Sequence, residues 1–232
     1  MKKIMLGMLV FATSNAMALG HNFNLYGKMG VDLVSRFDRI AITRNETQAP
    51  KKTAHFSPSF FAEITYNATP KTELGFGLGY VYRKHYDYKV AQKTNSGNNA
   101  LIDVIEEYPV NRYFSIPLYF LVKHNFQIQQ NLHSYIKVDF GHAFNKIKSN
   151  MTLIEHNDYI GNGKYHTTQH NISLNVENGN YYGVGFGIEY KNMLAELAYT
   201  HTDSHLTYSS KLIRGEAKYN NDSLRFSVGY RF

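Results

Sequence analysis

The sequence predicts an all-β protein, an eight-stranded antiparallel up-and-down transmembrane β-barrel. Three observations lead there. First, the stretch Asn221 to Phe232 alternates strictly, with Leu224, Phe226, Val228, Tyr230 and Phe232 on one face and Ser223, Arg225, Ser227, Gly229 and Arg231 on the other. Successive side chains of a strand point to opposite faces, so this strand has an oily side and a charged side. Second, seven earlier segments repeat the pattern. Third, the connections between the eight segments alternate between long and short, the asymmetry of transmembrane barrels with long extracellular loops and short periplasmic turns.

The segments follow in order. The first, Asn24 to Arg36, sets Leu25, Met29, Val31 and Leu33 against Tyr26, Lys28, Asp32 and Arg36. The second, Ser59 to Asn67, sets Phe60, Ala62, Ile64 and Tyr66 against Glu63 and Thr65. A turn at Ala68 to Lys71 follows, where Pro70 cannot donate to a ladder. The third, Thr72 to Arg83, sets Leu74, Phe76, Leu78, Tyr80 and Tyr82 against Glu73, Gly75, Gly77, Gly79 and Arg83. The fourth, Arg112 to His124, has Phe114 to Val122 on its apolar side, and Pro117 on the other face predicts a bulge.

The connector Asn125 to Asn131 leads to the fifth segment, from Leu132, where Ile136, Val138, Phe140 and Phe144 oppose His133, Tyr135, Lys137 and Asp139. The sixth ends at Tyr190, with Tyr182 to Tyr190 opposing Gly183, Gly185, Gly187 and Glu189. A tight turn at Lys191-Asn192 leads to the seventh, where Ala195, Leu197 and Tyr199 oppose Glu196, Ala198 and Thr200. The eighth is the final stretch. It must pair with the first, near Leu25 to Leu33, to close the sheet. The long connections are Phe37 to Pro58, Lys84 to Asn111, Asn145 to Asn180 and His201 to Asn220. The last two keep alternating and predict hairpins that extend the barrel strands. Leu101 to Glu107 is open between a helical turn and a strand.

The 232 residues fit one domain, with no Cys, no Trp, 19 Tyr, 15 Phe and a formal charge of +7. The absence of cysteine excludes disulfides and thiol chemistry. Lys2-Lys3, the apolar run Ile4 to Thr13 and Ala16-Met17-Ala18 form a secretory signal with an A-x-A cleavage site after Ala18. The expected organisation is therefore a signal peptide over 1–18 and a barrel over 19–232. The apolar run is too short to span a bilayer as a helix. An exported chain without a membrane helix can enter a membrane only as a closed barrel, because backbone polar groups cannot stay unpaired in lipid.

The polar face carries Lys28, Asp32, Arg36, Glu63, Glu73, Arg83, Lys123, Lys137, Asp139, Glu189, Glu196, Arg225 and Arg231. Periodicity alone would allow these charges to coat a soluble barrel with an apolar inside. The charge-free apolar stripe and the aromatics at strand ends favour lipid outside, since a lipid-facing Lys or Arg costs about 2–4 kcal/mol at mid-bilayer. An eight-stranded barrel is filled by its own side chains. The charges then form an ion-paired plug, and the inward glycines leave room for long side chains from opposite walls. Arg225 and Arg231 are expected to meet carboxylates such as Asp32 and Glu196.

Other chemistry is weaker. His201-Thr-Asp-Ser-His205 holds the residue types of a nucleophile–base–orienter arrangement, but Ser204 has the opposite parity to His201, Asp203 and His205. His166 and His170 are about 13 Å apart in a strand, too far to share a metal. Arg39, Arg44, Lys51 and Lys52 with Lys211, Arg214 and Lys218 form a candidate basic rim for lipopolysaccharide phosphates. Nothing points to nucleic acid, a cofactor or a metal.

With its signal peptide, its eight segments, Ser115-Ile-Pro-Leu-Tyr-Phe120 and its terminal Phe232, the chain resembles the small outer-membrane barrels of the OmpA/OmpX type, including opacity-protein-like families. The resemblance implies insertion in the bacterial outer membrane among lipopolysaccharide; the chain is expected to be a monomer. It implies recognition of Tyr230 and Phe232 by the barrel-assembly machinery. It also implies adhesion, or contact with a host surface or envelope partner, through outer hairpins. The expected function is a non-enzymatic barrel with surface-binding loops and a role in membrane integrity. A narrow channel for small solutes and a lipid A-modifying enzyme are the alternatives.

Overall fold

A computed structural model describes residues 22–38, 52–53, 57–83, 86–96, 100–110, 113–147, 151–157, 166–209 and 214–232. The expected signal segment with Ala16 and Ala18, and the loop charges Arg39, Arg44, Lys51 and Lys211, lie outside them. Among the described residues there is no helix.

Eight strands form a closed antiparallel barrel: β1 (Phe23–Phe37), β3 (Ser57–Thr69), β4 (Thr72–Arg83), β7 (Tyr113–Gln129), β8 (Leu132–Ile147), β11 (Gly179–Tyr190), β12 (Met193–Thr202) and β15 (Asn221–Arg231). Each pairs with the next in this order, and β15 returns to β1 from Tyr26 opposite Arg231 to Phe37 opposite Asn221. The short strand β2 (Lys52–Thr53) adds to the end of β1. The three turns at one end are Pro70-Lys71, Gln130-Asn131 and Lys191-Asn192, each closed by a directly paired residue on either side. Lys191 takes a φ of 55°, the left-handed conformation that lets a two-residue turn follow the twist of its strands.

At the opposite end the chain continues into a second, six-stranded sheet in the order β14-β13-β10-β9-β6-β5. Its strands are β5 (Tyr86–Ser96), β6 (Ala100–Val110), β9 (Met151–Asn157), β10 (His166–Val176), β13 (His205–Ser209) and β14 (Arg214–Lys218). The Leu101–Glu107 segment is strand, paired with β5 and β9. Three connections thus become outer hairpins rather than loose loops.

The burial pattern is inverted relative to a water-soluble barrel. Phe76 is 62 % exposed and Phe140 58 %, whereas Lys28 is 4 % exposed and Asp32 1 %. An apolar surface of Leu, Ile, Val and Phe encircles the wall, edged by aromatic pairs. Phe23 with Tyr66 and Tyr230 with Phe232 stand at the turn end; Tyr80 with Phe114 and Phe140 with Tyr182 stand at the other. Lipid is the solvent that such a wall fits, and closure leaves no unpaired strand edge within it.

Two expectations about the wall need correction. Arg36 is exposed rather than internal, because the β1–β15 register slips between Asp32 and Val34. The bulge absorbs one residue and reverses the parity of everything after it. Pro117 makes no bulge. The β7–β8 register runs unbroken through its pairing with Ala143, and the Pro117 ring is accommodated because Gly79 beside it has no side chain.

Candidate functional site

The lumen is organised in three layers. Near the turns, Lys123 lies 3.2 Å from Glu73 and 2.9 Å from Glu189, and Arg231 meets Glu189 at 2.9 Å. Tyr26 donates to Glu73 at 2.9 Å and receives a hydrogen bond from Lys123. Arg231 is at the mouth, 35 % exposed, and its carboxylate partner is Glu189 rather than Glu196. A polar cavity of about 490 Å³ opens here, lined by Asn24, Asn67, Glu73, Asn125, His133 and Arg231 among others.

The middle layer crosses the lumen. Lys28 of β1 sits 2.6 Å from Glu63 of β3 and 3.1 Å from Glu196 of β12. Lys137 of β8 reaches Glu63 at 2.8 Å, Asp139 at 3.2 Å and Glu196 at 3.4 Å. Tyr119 donates to Glu63 at 2.7 Å and Tyr135 to Glu196 at 3.0 Å. Buried charges are tolerable only when paired and hydrogen-bonded, and each of these is held by two or more partners apart from Asp139.

The outer layer joins Asp32 to Arg225 at 2.8 Å and to Arg83 at 3.2 Å. Above it, Phe37 stacks on Tyr219 at 4.9 Å and meets Tyr113 edge-on at 5.4 Å. The Arg83 guanidinium lies 5.2 Å from the Tyr113 ring, so an aromatic cap with a cation beneath it fills the outer end of the lumen.

Glycines make the middle layer possible in a way periodicity does not reveal. Gly77 pairs with Tyr119, and Gly187 with Tyr135. A Cβ on either would lie 2.3 Å or 2.2 Å from the partner's ring. The rings lie across the glycines of the neighbouring strand, and this stance aims both hydroxyls at Glu63 and Glu196. The space left by the glycines is taken by adjacent strands, not by opposite walls.

Outside the wall, His201 and Asp222 lie one step beyond Tyr199 and Leu224, the outermost apolar residues of β12 and β15, and so outside the membrane-spanning segments. His201 Nδ1 is 2.7 Å from Asp222 Oδ1, and its Nε2 is 2.9 Å from Asp203 Oδ1. Ser204 is buried on the other side and donates to the Tyr219 carbonyl at 2.8 Å. The His-Ser-Asp types of this stretch therefore form no nucleophile–base pair. Among the described residues no three His, Asp or Glu side chains converge as a metal site.

No family model matches the chain. It is 74% identical over 232 residues to the uncharacterized protein PM1543 of Pasteurella multocida (strain Pm70), covering 100% of this chain and 98% of that protein. The chain belongs to the same family as PM1543. Members of this family are, on the fold seen here, small eight-stranded membrane barrels. Solved structures with some likeness include the outer membrane protein OprG from Pseudomonas aeruginosa, at 12% identity, TM-score 0.48, and 91% and 95% coverage of the two chains. Another is Ail, the attachment invasion locus protein of Yersinia pestis, at 12% identity, TM-score 0.39, and 91% and 98% coverage. A third is the outer membrane protein AlkL, at 12% identity, TM-score 0.44, and 92% coverage of each chain.

Proposed function

We propose that this family member is a non-enzymatic outer-membrane barrel that presents a β-sheet for contact at the cell surface. One observation carries the reading: the same chain fills its lumen with cross-barrel ion pairs and projects a six-stranded sheet from one end. A filled lumen suits a scaffold better than a conduit, because solute passage would have to separate buried pairs such as Lys137–Glu63. An extension made of paired hairpins presents a preformed surface, which lowers the entropy lost on binding. The apolar wall and the secretory signal expected over 1–18 support the outer membrane as its site. Tyr230 and Phe232, on the lipid face of the last strand, are the residues we assign to recognition by the assembly machinery.

Two measurements test the reading. Purified barrel in planar bilayers should give no steady large single-channel openings; such openings would overturn the filled-lumen argument. Bacteria expressing a variant with the β5–β6 hairpin replaced by a short turn should keep a folded barrel and lose attachment to epithelial cells or extracellular matrix. Unchanged attachment would overturn the role of the sheet.

A further inference from the structure

His201 bonds through both ring nitrogens to oxygens of two different carboxylates, Asp222 on β15 and Asp203 just past the end of β12. A carboxylate oxygen accepts, so each ring nitrogen must donate. A histidine that donates twice is the imidazolium. Burial opposes that charge, but the hydrogen bonds and charges of Asp222 and Asp203 outweigh it and hold His201 above the ordinary histidine range.

Asp203 is also where the chain leaves the wall for the outer sheet. Its backbone N–H donates to the Asn180 carbonyl at 2.9 Å. Its own carbonyl oxygen occupies the place a Cβ on Gly179 would take, 1.2 Å away. The next residue, Ser204, donates its backbone N–H to Asn220 Oδ1 at 3.1 Å, and the Tyr219 N–H donates back to the Ser204 carbonyl at 2.8 Å. The other described groups facing this cluster are Tyr199, whose hydroxyl donates to Asp222 at 2.5 Å, Tyr182 on β11, 6.2 Å from the His201 ring, and Arg36 on β1, registered opposite Asp222.

The geometry points to a proton-operated latch: charged His201 ties Asp203, and with it the junction of barrel and outer sheet, to the Asp222 carboxylate of β15. Loss of the proton removes one donor, so a ring lone pair faces one of the two carboxylates and the tie to Asp203 or to Asp222 is lost. The sign follows from the raised folded-state value. The latch is fully closed below the ordinary histidine pKa, about 6.5. It releases as pH rises through the higher folded value. This regulation does not depend on what the sheet binds.

Amide exchange of the folded protein in detergent micelles tests it. Rates for Asp203, Ser204 and Tyr219 are measured from about pH 6 to about pH 9, spanning the histidine range. They are corrected for intrinsic pH dependence and compared with wall amides such as Gly185. Protection at the junction should fall by about tenfold over that range, the weight of one charged hydrogen bond, while wall amides stay constant. His201→Gln and Asp203→Ala, which removes the acceptor of the Nε2 hydrogen bond, should each give weak, pH-independent junction protection with unchanged wall protection. Asp203→Ala, at a half-exposed side chain, supplies the reading should His201→Gln fail to fold. A junction that follows the wall across the range overturns the latch, as does a pH response that survives either substitution.

Discussion

Lys137 shows what single residues do in this molecule. It is 2 % exposed and contacts Glu63, Asp139 and Glu196 at once. Replacing it with methionine keeps much of the volume and leaves three carboxylates with one remaining amine, Lys28. Removing one partner of a buried ion pair costs about 3–5 kcal/mol. Lys137→Met should lower the stability of the barrel by that amount in urea unfolding from lipid vesicles, and a loss below about 1 kcal/mol would mean that water screens the middle layer. Part of this was readable beforehand. Period two alone marks Lys28, Glu63, Lys137 and Glu196 as sharing the inner face. It cannot say which carboxylate meets which amine, because apart from Lys28–Glu63 on the paired strands β1 and β3 those contacts cross the lumen between strands that do not touch. Arg36 escapes the period-two reading for a related reason: the adjacent Leu33 and Val34 mask the slip in register, and the slip is visible only against β15.

At the scale of strands, the glycines of β4 and β11 decide how the wall packs. Gly187→Ala would put a Cβ 2.2 Å from the Tyr135 ring and force that ring off its neighbour. Overpacking of this kind typically costs about 1–3 kcal/mol. It should also detach the Tyr135 hydroxyl from Glu196, so the double variant Gly187→Ala, Tyr135→Leu should recover part of the loss. Equal stability of the single variant and the wild type would show that the ring moves freely. The barrel strands themselves were legible because one face meets lipid and the other a polar filling, which enforces strict alternation along each of them. The β5–β6 hairpin was not, since Leu101-Ile-Asp-Val-Ile-Glu-Glu107 sets two apolar residues side by side and carries no single period.

For the molecule as a whole, closure is the defining event. The Asp32–Arg225 bond joins residues 193 apart in the chain, and the Phe232 N–H donates to the Leu25 carbonyl at 2.9 Å. The two ends of the barrel sequence therefore meet on one rim. A circular permutant should follow from this. Joining Phe232 to Asn22 through a short Gly/Ser linker and opening the chain at Lys191-Asn192 should give the same barrel, migrating faster unheated than boiled on a gel. A permutant that never shows this heat-dependent migration would mean that β15 must be made last.

The β1–β15 seam carries a further meaning in kinetic language. Every other strand pair in the wall joins neighbours in sequence, whereas this one must wait for nearly the whole chain. Contacts between distant residues form late, because the entropy of closing a long loop is lost before they contribute. The seam is then the gate of assembly: until β15 finds β1, an open sheet edge faces the membrane, and once they pair, that edge is gone.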